Sequence, residues 1–225
     1  MTAPARPARG AADLRPAAIV IGGSAGGVDA LLTVLSTLPA SMQVPVICML
    51  HMPAHRESRL AEVFAARLPV PVREAGDKQP IDDATVYFAG SGYHLSVERD
   101  YRFSLSCEPP VHFARPAIDV LMSSAADVYG ADLVGILLTG ANADGAAGMA
   151  DIRAQGGFTV VQDPAEAQVA TMPRAAIAAC APDLVLTLAQ IAQLLQKITP
   201  REGAHGARQP EQKRAAVENH KLEKP

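Results

Sequence analysis

Short apolar runs alternate along this chain with segments in which apolar residues recur every three or four positions. The runs Ala17–Ile21, Val46–Leu50, Val134–Leu138 and Phe158–Val161 are continuous and bounded by glycine or polar residues. That pattern predicts strands buried on both faces. Ala30, Leu31, Val34, Leu35 and Leu38 fall on one helical stripe, ended by Pro39. Further helices are predicted over about 59–68, 116–129, 144–155, 174–180 and 187–197, with a last strand over about 183–186. Pro116 is placed in the first turn of its helix, and Gly156-Gly157 stops the following one. Between Pro71 and Leu105 apolar and polar residues alternate, as in Thr85-Val86-Tyr87-Phe88 and His94-Leu95-Ser96-Val97 with Gly90 and Gly92 between. This predicts short strands and at least one hairpin. Strands alternating with helices imply an α/β fold: a three-layer, doubly wound, mostly parallel sheet with a small antiparallel hairpin insertion. The periodicity sets one domain over 16–199, with 1–15 as a disordered lead-in and 200–225 as a disordered tail rich in charge.

Composition narrows the function. Among 225 residues, 49% are hydrophobic and 19% charged, as in an ordinary globular domain. A net charge of −3, 4% aromatic content and no Trp leave neither a basic footprint nor a stacking platform, so no nucleic-acid partner is expected. No apolar stretch reaches the roughly 18 residues of a membrane span, and the Ala-, Pro- and Arg-rich start has no apolar signal core. Cys48, Cys107 and Cys180 are odd in number and widely spaced, which fits free thiols in a reducing compartment.

Three of the strand runs end on groups able to do chemistry. In a parallel sheet such groups share the carboxyl rim. The first ends at Gly22-Gly23-Ser24-Ala25-Gly26-Gly27, which satisfies G-x-S-x-G between a strand and a helix. Two readings stand for Ser24: a nucleophile lifted above the sheet edge, or a helix-capping serine in a tight turn. A dinucleotide loop is disfavoured because Ser24 replaces the second glycine, and a P-loop because Val28 stands where Lys is required. The second run ends at His51, either a general base or a histidine hydrogen-bonded at a strand end. His51 and His55 are four apart, but Met52 and Pro53 argue against a zinc helix, so no metal and no cofactor are expected. His55, His94 and His112 read as structural. The third run leads into Thr139-Gly140-Ala141-Asn142-Ala143-Asp144-Gly145. Asp144 either caps the helix that follows it or orients His51.

Together these segments resemble the catalytic domain of CheB, the bacterial chemotaxis protein-glutamate methylesterase family. The resemblance rests on Ile21–Gly27 with Asp29-Ala30-Leu31, His51-Met52-Pro53, Ala114-Arg115-Pro116 with Asp119-Val120-Leu121, Leu138–Met149, and Met172–Ala176. It implies a catalytic triad of Ser24, His51 and Asp144, and an acyl-enzyme route to hydrolysis of γ-glutamyl methyl esters, with deamidation of some glutamines. Backbone amides of Ala25 and Ala141 are the oxyanion candidates, and Arg115 and Met172 the substrate-binding ones. Arg56 and Arg59 read as surface arginines. The implied partners are the methylated cytoplasmic helices of chemoreceptors, in the cytoplasm. The family often carries Thr at the position of Ala25 and Met-Gly at Ala141-Asn142, departures that leave a backbone role intact. Too little chain precedes the first strand for the family's receiver domain, so a stand-alone domain, unregulated in cis or controlled by a partner in trans, is expected. A non-catalytic or differently specific module of the same fold is the alternative.

Overall fold

Strand-forming runs and helical stripes alternate along the fold except between α2 and α3, where four strands follow one another. In the computed structural model, which describes residues 14–52 and 58–198, the order is β1 (Ala18–Gly23), α1 (Gly27–Leu35), β2 (Val46–Leu50), α2 (Leu60–Ala65), β3 (Val72–Glu74), β4 (Val86–Phe88), β5 (His94–Val97), β6 (Phe103–Ser106), α3 (Ile118–Tyr129), β7 (Leu133–Leu137), α4 (Ala146–Ala154), β8 (Phe158–Gln162), α5 (Thr171–Cys180), β9 (Leu184–Leu186) and α6 (Leu188–Lys197). Seven strands form one sheet in the order β3-β4-β2-β1-β7-β8-β9, and every neighbouring pair is parallel. β5 and β6 form a separate antiparallel hairpin. The chain thus has the expected three-layer architecture.

The two-residue period of a strand divides the core. Ile19 and Ile21 of β1 point with Cys48, Val134 and Ile136 toward α1, α2 and α6. Ala18 and Val20 point with Ile47, Met49, Leu133 and Leu137 toward α3, α4 and α5. The hairpin closes that second layer through Leu95, Val97 and Phe103.

Some local expectations are corrected. The hairpin expected between Pro71 and Leu105 is 94–97 paired with 103–106, whereas β4 lies parallel between β2 and β3 in the main sheet. Local alternation does not reveal this, because a strand's partner is set by the core it fills rather than by its neighbour in sequence. Pro116 stands ahead of α3, whose N-cap is Ala117. α5 starts at Thr171, with Pro173 in its first turn, where the missing N–H has no helical acceptor to lose. Leu14, assigned to the lead-in, is buried in the first-layer core. Otherwise the terminal segments, and Pro53, His55 and Arg56, lie outside the described residues.

α3 and α4 pack closely because Gly148 lacks a side chain. A β-carbon there would stand 2.5 Å from Met122 Cβ and 3.3 Å from the Asp119 backbone. Gly148→Ala should therefore destabilise the protein by roughly 1–3 kcal/mol through overpacking, although alanine is the better helix former by about 1 kcal/mol. Urea unfolding reads the sign, and a stabilised variant would mean that the two helices do not constrain each other.

Candidate active site

The sheet changes its winding direction at β1. From there the chain moves outward through β2 on one side and through β7, β8 and β9 on the other. Such a switch point opens a crevice beyond the carboxyl ends of the strands. Ser24 follows β1, His51 follows β2 and the Thr139–Gly145 loop follows β7.

The three side chains form a hydrogen-bonded series. His51 Nε2 lies 2.6 Å from Asp144 Oδ2, and His51 Nδ1 lies 3.2 Å from Ser24 Oγ. A carboxylate only accepts, so Nε2 carries the proton and donates to Asp144. Nδ1 is then the acceptor for the Ser24 hydroxyl. Backbone bonds fix the frame: Ser24 N–H donates to the Thr139 carbonyl at 2.9 Å, and His51 N–H to the Gly23 carbonyl at 3.4 Å. Gly26, at φ 78°, turns the chain into α1 immediately behind the serine.

Asp144 is fully buried, and it does not cap its own helix. Gly145, at φ 92°, occupies that position in α4. Asp144 instead caps α3, accepting from Ile118 N–H at Oδ2 (2.7 Å) and from Asp119 N–H at Oδ1 (2.9 Å). Asp119 returns the arrangement, its Oδ1 accepting from Gly148 N–H in the first turn of α4 at 2.8 Å. The two helix N-termini are thus cross-capped by each other's aspartates. Burial pushes the Asp144 carboxyl up. The His51 hydrogen bond, the two α3 amides and the His51 charge outweigh it and leave the group below the ordinary carboxylate range. Asp119 moves the other way. Burial and the neighbouring Asp144 charge raise it, against the opposing pull of the Gly148 and Gly145 amides and of His112.

The β7–α4 loop is tied down along its length. Thr139 Oγ donates to the Ala25 carbonyl (2.9 Å) and accepts from Val169 N–H (2.9 Å), while Gln162 Oε1 takes the Thr139 amide at 2.8 Å. The Gly140 carbonyl accepts from Met172 N–H at the start of α5. Asn142 Oδ1 accepts the Asp144 amide at 3.2 Å. The Ser24 amide is taken by the Thr139 carbonyl and the Gly140 amide by the Val169 carbonyl (3.1 Å). The Ala25 and Ala141 amides donate to no group among the described residues.

Not every residue singled out from sequence meets the cleft. Met172 is fully buried and packs on Gly140, so its side chain supports the loop and offers no surface to a substrate. Arg115 spends one guanidinium nitrogen on the carbonyls of Cys107 (2.9 Å) and Glu108 (3.1 Å). Arg59 pairs with Glu62 in solvent. His94 is buried and structural, with Nε2 donating to the Pro109 carbonyl and Nδ1 accepting from Ala117 N–H. His112, also read as structural, stands 3.3 Å from Asp119 Oδ2. Asp119 and Gln162 were missed as site residues. Gln162 carried a signal, a polar residue ending an apolar strand. Asp119 stands in one of the resemblance blocks, but its capping of a distant helix has no local mark in the sequence. Further along the rim, beyond β3 and β4, a cavity of about 440 Å³ is lined by Ser58, Glu74, Gly90 and Tyr93 among others.

A family model described as CheB methylesterase matches residues 19–195. A relative from Leptospira interrogans is 43% identical over 181 residues, covering 80% of this chain and 94% of its own. The protein-glutamate methylesterase/protein-glutamine glutaminase of Symbiobacterium thermophilum is 37% identical over 179 residues, and there the chain spans 49% of the relative's length. The crystal structure of the Thermotoga maritima CheB methylesterase catalytic domain superposes with a TM-score of 0.77 at 28% identity, covering 81% of this chain and 98% of that one.

The opposed shifts of the two aspartates give opposite pH signatures. Asp144 titrates below its unfolded value near 3.9, so the unfolded chain binds more protons there. Its stabilisation is present above that value and lost as pH falls through the lower folded one. Asp119 titrates above its unfolded value, so its contribution is present below about 3.9 and lost as pH rises through the folded one. Denaturant titrations from pH 3 to 8 should show Asp144→Asn losing most stability toward neutral pH, and Asp119→Asn losing least there. Asp144→Ala should cost roughly 2–4 kcal/mol, since it strands two buried amide donors.

Proposed function

The chain belongs to the CheB methylesterase family, and on that premise we propose that it hydrolyses γ-glutamyl methyl esters on chemoreceptor cytoplasmic helices by way of Ser24, His51 and Asp144. One observation carries the reading: a hydroxyl, an imidazole and a buried carboxylate from three strand ends are hydrogen-bonded in series. That is the order of groups that a serine esterase requires.

The proposed reaction follows from the donors and acceptors in place. Ser24 Oγ attacks the ester carbonyl carbon as His51 Nδ1 takes its proton. Asp144 stabilises the imidazolium through Nε2. The Ala25 and Ala141 amides, uncommitted among the described residues, receive the developing oxyanion. Collapse breaks the bond to methoxide, which leaves as methanol with the proton from His51. Water then attacks the glutamyl-serine ester, again losing a proton to His51, and releases the glutamate carboxylate and free Ser24. A primary amide would follow the same course with ammonia as leaving group, in line with the glutaminase half of the relatives' names. The site would work in the cytoplasm, where receptor methylation helices lie.

The Ser24 to His51 separation of 3.2 Å is of the length that tightens when substrate is bound. Ser24→Ala should lower the rate of methanol release from a methylated chemoreceptor fragment by about a thousandfold or more. A serine-directed phosphonate should label Ser24 in the native chain. Asp144→Asn should lower kcat by roughly 10³–10⁴ with KM little changed. Hydrolysis by Ser24→Ala near the native rate would exclude the mechanism.

A further inference from the structure

We propose that Phe113 is a docking knob for the protein substrate, seated against an apolar side chain about one or two helical turns from the esterified glutamate. This rests on the function proposed above and names the part of the rim that recognises a polypeptide rather than an ester.

Phe113 is 104% exposed, far more than any other large apolar side chain described. It sits at the tip of a tight turn closed by two backbone bonds, Val111 N–H to the Ala114 carbonyl (3.1 Å) and Ala114 N–H to the Val111 carbonyl (2.8 Å). Both central residues lie in left-handed backbone, His112 at φ 49° and Phe113 at φ 62°. Such turns favour Asn and Gly. Here a histidine and a phenylalanine bear the strain, and the ring stays exposed. Strain of this kind persists where the surroundings over-determine it, and it clusters at functional sites.

The surroundings are firm. Arg115 clips the carbonyls of Cys107 and Glu108. The buried His94 ring joins the Pro109 carbonyl to the Ala117 amide. The His112 ring meets Asp119 Oδ2 at 3.3 Å, and the Asp119 amide donates to Asp144 Oδ1 at 2.9 Å. Phe113 is therefore one residue from a side chain that reaches, through Asp119, the carboxylate holding His51. In the proposed docking, a substrate that brings a glutamate side chain to Ser24 also meets this turn. The segment Pro109-Pro110-Val111-His112-Phe113-Ala114 carries no Lys, Arg, Asp or Glu, so the contact it offers is apolar and pre-ordered rather than electrostatic. On a helical substrate, residues three, four or seven positions from the glutamate share its face.

The test compares Phe113→Ala, Phe113→Leu and, as a control on the far edge strand, Val185→Ala, itself 44% exposed. Two substrates are used: a chemoreceptor cytoplasmic fragment with labelled γ-methyl esters, and a short peptide bearing one glutamate γ-methyl ester. Phe113→Ala should raise KM for the fragment about tenfold or more, the scale of burying one large apolar side chain. Its kcat, and both constants on the peptide, should change little, and the loss should be the same at low and high salt. Phe113→Leu should recover most of the affinity, and Val185→Ala should behave as native. Affinity for the fragment is also measured with Ser24→Ala in the background, so docking is read without turnover. Phe113-dependent binding by a chain that releases no methanol from either substrate would support docking and sink the esterase reading. Unchanged KM and affinity in Phe113→Ala, or a Phe113 effect confined to self-association in sedimentation, would overturn the proposal.

Discussion

The site depends on the burial of one carboxylate. Removing an aspartate from water costs several kcal/mol unless hydrogen bonds to its charged form replace the lost hydration. Asp144 finds them in Ile118 N–H, Asp119 N–H and His51 Nε2–H. Two of the three belong to the α3 N-terminus, whose dipole adds about 0.3–2 kcal/mol. Asp119 serves the α4 N-terminus in the same way. Neither helix has a capping side chain of its own. The crossed arrangement therefore meets two needs at once: it ends the two helices and holds an ionised acceptor behind the imidazole.

That constraint propagates through close packing. α3 and α4 can exchange caps only if their first turns nearly touch, which requires Gly148. α3 must also lie against the carboxyl end of β1, where a β-carbon on Gly22 would stand 2.5 Å from Ile118. The β7–α4 loop, held by Thr139, Gln162 and Gly140, carries Asp144 into place beside Ser24 and His51. Small residues at these points do not loosen the region. They let backbone groups approach closely enough to bond.

The layered sheet, most element positions and the three strand-end residues were legible in the sequence, because each is written in a local period or at its interruption. Ile19 and Ile21 announce a strand whatever surrounds them. Ser24, His51 and Asp144 stand out because polar residues end apolar runs. What was illegible depends on partners distant in sequence. Val86–Phe88 carries the same alternation as His94–Val97, yet one joins the parallel sheet and the other a hairpin. Asp144 reads either as the cap of the helix it precedes or as the partner of His51, and its service to α3, 25 residues earlier in the chain, is visible only in the fold. Met172 reads as a motif residue, and burial behind Gly140 shows it as support.

Helix termini elsewhere sharpen the contrast. α6, on the other face of the sheet, is closed by its own residues: Thr187 Oγ accepts from Gln190 N–H, and Gln190 Oε1 accepts from Thr187 N–H. That capping box is local, and Glu166 Oε2 takes the Leu188 amide as well, at 2.7 Å. The starts of α3, α4 and α5 are met by groups distant in sequence. Asp144 serves α3, Asp119 serves α4, and the Gly140 carbonyl serves α5. α1 begins at Gly26 with no side-chain cap at all. An uncapped helix start next to a serine leaves amide donors and a positive dipole end facing the place where an oxyanion would form. A local capping residue at Gly26 would satisfy those donors and compete with that anion. α6 shows that the chain can cap a helix with adjacent residues; at α3, α4 and α5 groups from elsewhere in the fold take that place, and at α1 the start is left open beside Ser24.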